Sequence, residues 1–176
     1  MRKRLGVMCS GNGTNFENIV KSCWDHEVVL MVYNNENCGA AQRATKYGIP
    51  SAYFTHKEEA KIINEFKWQK VDYIILAGWM RILSEGFIEA FPNRIINVHP
   101  SLLPKHKGLH AVEQAIHSKD KITGCTVHYV NNELDGGEII QQAEVPIFDT
   151  DNTEILTKRI QREEYRILPE VIKKLP

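Results

Sequence analysis

Two polar residues stand two positions apart, as Asn97 and His99, with prolines following at positions 100 and 104. If residues 94–98 form a strand, both side chains project from the same face near its end. Each side chain donates hydrogen bonds, and a histidine also exchanges a proton near neutral pH. The pair therefore suits the stabilisation of negative charge on an oxygen together with proton transfer. A structural histidine at a strand end is the alternative, and the residues alone favour neither.

A candidate partner for His99 is Asp135, which lies in the run Leu134-Asp135-Gly136-Gly137. An aspartate before two glycines is ordinarily a turn residue. The functional interpretation requires the chain to fold back so that the carboxylate contacts the imidazole. There it would orient the ring and raise its pKa.

The run Ser10-Gly11-Asn12-Gly13-Thr14-Asn15 lies between a predicted strand and a predicted helix. A glycine turn of this kind exposes backbone N–H groups at a helix start, where the helix dipole favours an anion such as a phosphate. The pattern matches neither the GxGxxG of dinucleotide-binding folds nor the GxxxxGK[ST] phosphate loop. The alternative is a tight turn in which Thr14 or Asn15 caps the helix.

Two further groups carry weaker signals. The run Gly78-Trp79-Met80-Arg81-Ile82-Leu83 combines one cation with apolar and aromatic side chains just after a predicted strand. It suits either a flat heteroaromatic ligand or a loop packed against the core. Gln161 and Glu164 are three apart on a predicted helix and share a face, where they would contact a ligand amine or hydroxyl, or simply face solvent.

The first half of the chain alternates strand-like and helix-like runs. Short apolar runs predict strands at residues 5–9, 28–32, 51–54 and 73–76. Longer runs with helical spacing predict helices at residues 15–24, 39–47 and 58–68, the second of them ended by Gly48. Because apolar strands that alternate with helices are typical of a parallel sheet covered on both faces, we expect a doubly wound fold with right-handed crossovers.

The second half of the chain has a different order of predicted strands and helices. The sequence predicts a helix at residues 111–118 and strands at 94–98, 124–130 and 138–147. The last two strands are joined by a loop rich in Asn, Asp and Gly, which suits a hairpin or a longer functional loop. A long amphipathic helix follows over residues 152–174, and Pro169 is expected to kink it or divide it in two. The fold class is therefore α/β, a mostly parallel twisted sheet with helices on both faces and an antiparallel strand pair in the C-terminal half. We expect a single domain over residues 1–176.

Composition narrows the class of partner. The chain has 22 Lys and Arg against 22 Asp and Glu, whereas a nucleic acid-binding protein usually carries a basic excess, so we expect a small ligand and no nucleic acid. The four cysteines show no zinc-site spacing, so we expect no metal and interpret them as reduced thiols of a cytoplasmic protein. The apolar run near the N-terminus is too short for a secretory signal, and no stretch approaches membrane-spanning length.

The motifs, taken in order, resemble a known family. The run Asn97-x-His99-Pro100-Ser101-Leu102-Leu103-Pro104, followed by Asp135 in Leu134-Asp135-Gly136-Gly137, resembles the signature of the folate-dependent formyltransferases. The resemblance extends over nearly the whole chain. The loop at residues 10–15 and the run Gly108-Leu109-His110 are similar to the branch of that family that acts on glycinamide ribonucleotide.

The resemblance implies a role for each group of residues. Its catalytic residues would be Asn97, His99 and Asp135. The ribonucleotide would be bound by Gly13, Thr14 and Asn15 at its phosphate, and by Glu164 and Gln161 at its ribose or glycinamide part. The folate pocket would be formed by Met80, Arg81, Ile82, Leu83 and Val130, with the loop at residues 131–135. Residues 1–90 would form a nucleotide-binding half, and residues 91–176 a catalytic and folate-binding half.

The activity implied by the resemblance is transfer of the formyl group of 10-formyltetrahydrofolate, as co-substrate, to the amine of glycinamide ribonucleotide in purine biosynthesis. Two alternatives stay open. A formyltetrahydrofolate hydrolase would use water as the acceptor, and a non-catalytic module would only bind folate or nucleotide. The presence of Asn97, His99 and Asp135 together favours an enzyme over a binding module.

Overall fold

The computed structural model describes residues 1–176, which form seven strands and six helices. The strands are β1 (Arg4–Cys9), β2 (Glu27–Tyr33), β3 (Ser51–Tyr53), β4 (Tyr73–Leu76), β5 (Ile95–His99), β6 (Ile122–Tyr129) and β7 (Ile139–Pro146). The helices are α1 (Thr14–Ser22), α2 (Gly39–Tyr47), α3 (Glu59–Trp68), α4 (Glu85–Ala90), α5 (Ala111–His117) and α6 (Thr153–Lys173).

The strands form a sheet in the order β3-β2-β1-β4-β5-β6-β7. Pairing is parallel from β3 through β5, and β6 and β7 are antiparallel. The α/β fold class with its antiparallel C-terminal pair is confirmed, and the loop rich in Asn, Asp and Gly joins a hairpin. Because β1 and β4 are parallel neighbours, the loops after Cys9 and Leu76 leave the sheet side by side, and both carry predicted site residues.

The chain divides into two compact units, Met1–Asn97 and Val98–Pro176. In the first unit, side chains of the helices such as Phe16 and Phe66 are fully buried with those of the parallel strands. In the second unit, α6 packs on β6 and β7 and buries an apolar stripe that includes Ile160 and Leu168. That residues 1–176 form a single domain stays a prediction. None of the helices is long and apolar enough to cross a membrane.

Two helices differ from the sequence expectation. The sequence pattern predicted no element at α4, because its six residues are too few to show a helical stripe and include Gly86. In the structure, the Ser84 side chain caps this helix by accepting a hydrogen bond from the Phe87 N–H at 3.2 Å. A division of the last helix at Pro169 is wrong, because α6 continues through that residue. Buried side chains on both sides of the proline hold its flanks in place, so tertiary packing outweighs the local preference.

Candidate active site

The imidazole of His99 lies at the end of β5 and is almost completely buried, with 8% of its side chain exposed. Its Nε2 lies 2.8 Å from the backbone carbonyl oxygen of His106. A carbonyl oxygen only accepts hydrogen bonds, so Nε2 carries a hydrogen and donates it. In the neutral ring, Nδ1 is therefore the nitrogen that carries the lone pair. Asn97 lies two residues earlier on the same strand.

The carboxylate of Asp135 lies against that second nitrogen. Its Oδ2 is 3.5 Å from His99 Nδ1 and accepts a hydrogen bond of 2.7 Å from the Gly108 N–H. Asp135 adopts a left-handed backbone conformation with φ of 48°, and a Cβ at Gly137 would overlap the Tyr129 carbonyl. Gly137 thus allows the loop to lie close to the end of β6. The contact that the functional interpretation of Asp135 requires is present.

A second histidine, which sequence reasoning missed, faces the same carboxylate. His128 on β6 is buried, and its Nε2 lies 3.8 Å from Asp135 Oδ1. Burial lowers the pKa of His128, while a 2.8 Å hydrogen bond from its Nδ1 to the Tyr129 carbonyl and the nearby Asp135 carboxylate act in the opposite direction. A signal was available, because Thr126 and His128 are polar residues two apart in a largely buried strand.

Buried hydrogen bonds brace the loop that follows His99. The Ser101 hydroxyl donates to the Lys105 carbonyl at 2.6 Å. The Thr126 hydroxyl donates to the Ser101 carbonyl at 2.7 Å and accepts from the Leu103 N–H at 3.1 Å. The Gln142 amide donates to the Leu103 carbonyl and to the Thr126 hydroxyl, both at 3.0 Å. Because these groups satisfy one another, residues 100–105 are held rigidly beside the imidazole.

In the first unit, helix α1 begins directly after the glycine turn. Its N-cap is Gly13, in a left-handed conformation with φ of 76°, and no side chain caps the helix. The alternative in which Thr14 or Asn15 caps the helix is wrong: the helix starts at Thr14, so both residues are already inside its first turn. The positive end of the helix dipole at this start favours an anion.

Helix α2 packs against this turn. The Ala40 N–H donates to the Gly11 carbonyl at 3.2 Å. A Cβ at Gly13 would lie only 2.6 Å from the Cα of Ala40, so glycine is required there by packing as well as by its positive φ. The start of α2 therefore determines where the turn lies.

Arg43 of α2 contacts the same turn. Its Nε donates to the Asn12 carbonyl at 2.8 Å, and its guanidinium forms an ion pair with Glu17 of α1. Glu17 is nearly buried and also accepts from the Tyr47 hydroxyl at 2.6 Å, with Lys21 at 2.9 Å. One arginine thus connects the backbone of the turn to a carboxylate that further partners hold in place.

The turn also joins the segment at residues 78–83. The Ser10 N–H donates to the Gly78 carbonyl, and the Ser10 hydroxyl accepts from the Met80 N–H, both at 2.9 Å. Met80, Arg81 and Ile82 are exposed, whereas Leu83 is buried. Trp79 is also buried, and its indole Nε1 has no hydrogen-bond partner. The structure therefore brings together two groups of predicted residues within the first unit.

The remaining predicted residues belong to the second unit. Glu164 of α6 is buried and Gln161, one turn earlier, is half-buried, as is Val130 at the end of β6. Burial, followed by the charges of Glu164 and Glu163, raises the pKa of the Cys125 thiol to about 12. Burial likewise raises the pKa of Cys9. No cluster of three or more His, Cys, Asp or Glu side chains is arranged to hold a metal ion.

The chain belongs to the formyl transferase family, whose model matches residues 3–172. It is 38% identical to the phosphoribosylglycinamide formyltransferase of Haemophilus influenzae over 97% of this chain and 86% of that protein. It is also 40% identical to the trifunctional purine biosynthetic protein adenosine-3 of Drosophila melanogaster over 97% of this chain, which spans only 14% of the length of that protein.

Solved structures agree with this assignment. Phosphoribosylglycinamide formyltransferase from Anaplasma phagocytophilum is 40% identical and superposes with a TM-score of 0.95, over 98% of this chain and 86% of that one. Glycinamide ribonucleotide transformylase 1 from Symbiobacterium toebii also has a TM-score of 0.95, at 37% identity, with the same coverage of both chains.

Proposed function

We propose that this chain transfers the formyl group of 10-formyltetrahydrofolate to the amine of glycinamide ribonucleotide, a step of purine biosynthesis. The observation that carries the proposal is the buried contact between His99 Nδ1 and Asp135 Oδ2 at 3.5 Å, in a chain of the formyl transferase family. The names of its relatives support the choice of acceptor.

The reaction requires the amine to attack the formyl carbon, which forms a C–N bond and a tetrahedral intermediate with negative charge on oxygen. The bond from that carbon to the folate nitrogen then breaks, and the nitrogen leaves with a proton. Donors placed in advance around the developing oxyanion lower the barrier most effectively. We assign this role to the Asn97 amide and the protonated His99 ring, and loss of one such donor typically costs about 100- to 1000-fold in rate.

Proton transfer is assigned to His99 Nδ1 and Asp135. Because Nε2–H is committed to the His106 carbonyl, only Nδ1 exchanges a proton during turnover. Asp135 stabilises the protonated ring and helps to move a proton from the attacking amine to the departing folate nitrogen, through a water molecule. The scheme uses neither a metal nor a covalent nucleophile. With their raised pKa values, the Cys9 and Cys125 thiols stay protonated and take no part.

Substrate binding is assigned to the remaining residues. The uncapped first turn of α1, with Gly13, Thr14 and Asn15, would bind the ribonucleotide phosphate through backbone N–H groups and the helix dipole. Glu164 and Gln161 would contact the ribose or glycinamide part. The folate would contact Met80, Arg81, Ile82, Leu83 and Val130.

We expect the protein to act in the cytoplasm on these small molecules. Support comes from the four buried cysteines, which are all free thiols, as is usual in a reducing compartment. Support also comes from the zero net charge, since a nucleic acid partner would call for a basic surface.

The experiment is a folate absorbance assay with 10-formyltetrahydrofolate, or a stable deaza analogue, with and without glycinamide ribonucleotide. Deformylation that requires the ribonucleotide and yields its formylated product would support the proposal. Deformylation without the ribonucleotide would indicate a hydrolase. Binding without turnover would indicate a binding module.

Two variants test the assignment of the reacting groups. His99→Ala and Asp135→Asn should each lower kcat by about 100- to 10,000-fold, because each removes the group that exchanges the proton or stabilises it. Circular dichroism should show an intact fold. The matched control is Asp149→Ala, which removes an exposed carboxylate that pairs only with Lys121 at 3.1 Å and should leave kcat unchanged. Near-normal turnover in either test variant would contradict the assignment.

A further inference from the structure

We propose that the side chains of His106 and Asp120 position the imidazole of His99 for proton transfer, by holding in place the His106 backbone carbonyl that accepts from His99 Nε2. The inference rests on the proposed function and deepens it. His106 and Asp120 would be positioning residues, because neither side chain is assigned a contact with substrate.

The His106 backbone makes the direct contact. Its carbonyl oxygen lies 2.8 Å from His99 Nε2, which determines the tautomer of His99 and the orientation of the ring. His106 has a left-handed backbone conformation with φ of 55°, which residues other than glycine adopt only at a cost. Side-chain contacts that hold this conformation therefore also hold the carbonyl.

The His106 ring supplies such a contact. Its Nε2 donates to Asp120 Oδ2 at 2.9 Å, and Asp120 Oδ1 accepts from Lys105 Nζ at 3.2 Å. Asp120 lies between α5 and β6, and its backbone N–H donates to the Ser118 hydroxyl at 3.3 Å. The carboxylate thus links the loop after β5 to the connection before β6.

The charge state of Asp120 suits this role. Its hydrogen bond from His106, and then that from Lys105, hold its pKa below the ordinary range, so the carboxylate is ionised at neutral pH. An ionised carboxylate accepts a shorter and stronger hydrogen bond than a neutral group does. On the far side of His99 lie Asp135 and, against that carboxylate, His128.

Ser101 also contacts the loop after β5, but it makes no hydrogen bond with the His106 ring. The Ser101 hydroxyl holds the Lys105 carbonyl at 2.6 Å and is 3.4 Å from the His106 carbonyl. Ser101 therefore retains the general path of the loop when Asp120 is lost, but it leaves the His106 ring without its anchor. We accordingly expect misorientation of His99 in a folded protein rather than global unfolding.

The test compares Asp120→Ala with Asp120→Asn. The alanine variant removes the acceptor for His106 and should lower kcat by roughly 10- to 100-fold, with both KM values within about twofold of the wild type. The asparagine variant keeps an oxygen acceptor and should recover most of the loss. Asp149→Ala, which removes a carboxylate paired with Lys121, serves as the matched control and should match the wild type.

A second readout does not depend on turnover. Nitrogen-15 spectra of histidine-labelled protein report the tautomer of each ring, and the His99 signals are identified by their loss in His99→Ala. We expect the Nε2–H tautomer of His99 in the wild type and in Asp120→Asn. Asp120→Ala should show a mixture of tautomers.

His106→Phe provides an independent variant if Asp120→Ala fails to fold, because phenylalanine keeps a ring but donates no hydrogen bond to Asp120. It should lower kcat and mix the tautomers in the same way. A wild-type tautomer and wild-type kcat in a folded Asp120→Ala or His106→Phe protein would overturn the inference. If the wild type forms no formylated ribonucleotide while the tautomer still depends on Asp120, the proposed function fails and the positioning role stands.

Discussion

Substitution of Gly13 by alanine tests whether the turn before α1 binds the ribonucleotide phosphate. The new Cβ would lie 2.6 Å from the Cα of Ala40 and 2.8 Å from its Cβ, and an ordinary van der Waals separation starts near 3.4 Å. The turn must therefore move by about 0.8 Å, because the backbone of α2 has little freedom to yield. The positive φ of 76° adds a cost of roughly 1–2 kcal/mol for any residue with a side chain.

The expected result is weaker binding of the ribonucleotide with nearly unchanged chemistry. Loss of one hydrogen bond to a charged phosphate costs about 1.5–3 kcal/mol, which corresponds to an increase in KM of about 10- to 150-fold. Since the phosphate takes no part in the bond changes, its contacts count equally in the ground state and the transition state, and kcat should change less than about threefold. The KM for the formyl folate should stay the same.

The assay is steady-state kinetics with each substrate varied, together with thermal unfolding to confirm that the variant is folded. Gly86→Ala is the matched control, since its new Cβ would have only the Ser84 hydroxyl near it, at 4.0 Å. That control should keep wild-type kinetics and equal or slightly greater stability. A folded Gly13→Ala protein with the wild-type KM for the ribonucleotide would refute the reasoning.

Two more variants give further predictions. Arg43→Ala removes the hydrogen bond to the Asn12 carbonyl and should raise the KM for the ribonucleotide about tenfold with kcat nearly unchanged. Arg43→Lys should restore little of this loss, because an ammonium group cannot reproduce the hydrogen-bonding geometry of a guanidinium group. A wild-type KM in Arg43→Ala would show that the turn does not depend on Arg43. Asp151→Asn removes the charge and one of the two acceptor oxygens that pair with Arg159. In the wild type this pairing holds the pKa of Asp151 below its ordinary value of 3.8. Because the pKa of Asp151 is lower in the folded state than in the unfolded state, ionised Asp151 stabilises the fold at pH values above the unfolded pKa. Denaturant titrations should therefore show the variant about 1 kcal/mol less stable than the wild type at pH 7, and the difference should shrink as the pH falls below about 4. A stability difference that does not change with pH would contradict this explanation.

Local patterns account for most of the fold. Helix α2 has the bounds that its spacing predicts, and Gly48 ends it in a left-handed conformation with φ of 65°. Strand β4 also begins and ends as expected. Such features depend on neighbours within a few residues, so the sequence shows them directly. Helix α4 and the continuity of α6 through Pro169 depend on packing partners elsewhere in the chain, and local reasoning missed both.

The candidate site divides in the same way. The types and spacing of Asn97 and His99, and the glycine turn at residues 10–13, are visible in the sequence and predict the chemistry each group offers. Asp120 gave no comparable signal, because a single aspartate in a turn is ordinarily structural. His128 was missed although it stands two residues from Thr126 in β6.

The sequence by itself determined the family and the alternation of strands and helices, and it predicted the reacting groups, since these follow from residue types and short spacings. Only the tertiary structure decided that Asp135 lies against His99 Nδ1, that His106 occupies Nε2 and that Arg43 holds the turn before α1. Each of these contacts joins residues that are separated along the chain. Strand pairing and loop closure bring such residues together. The hydrogen bond to the His106 carbonyl then sets the tautomer of His99, and burial lowers the pKa of His128.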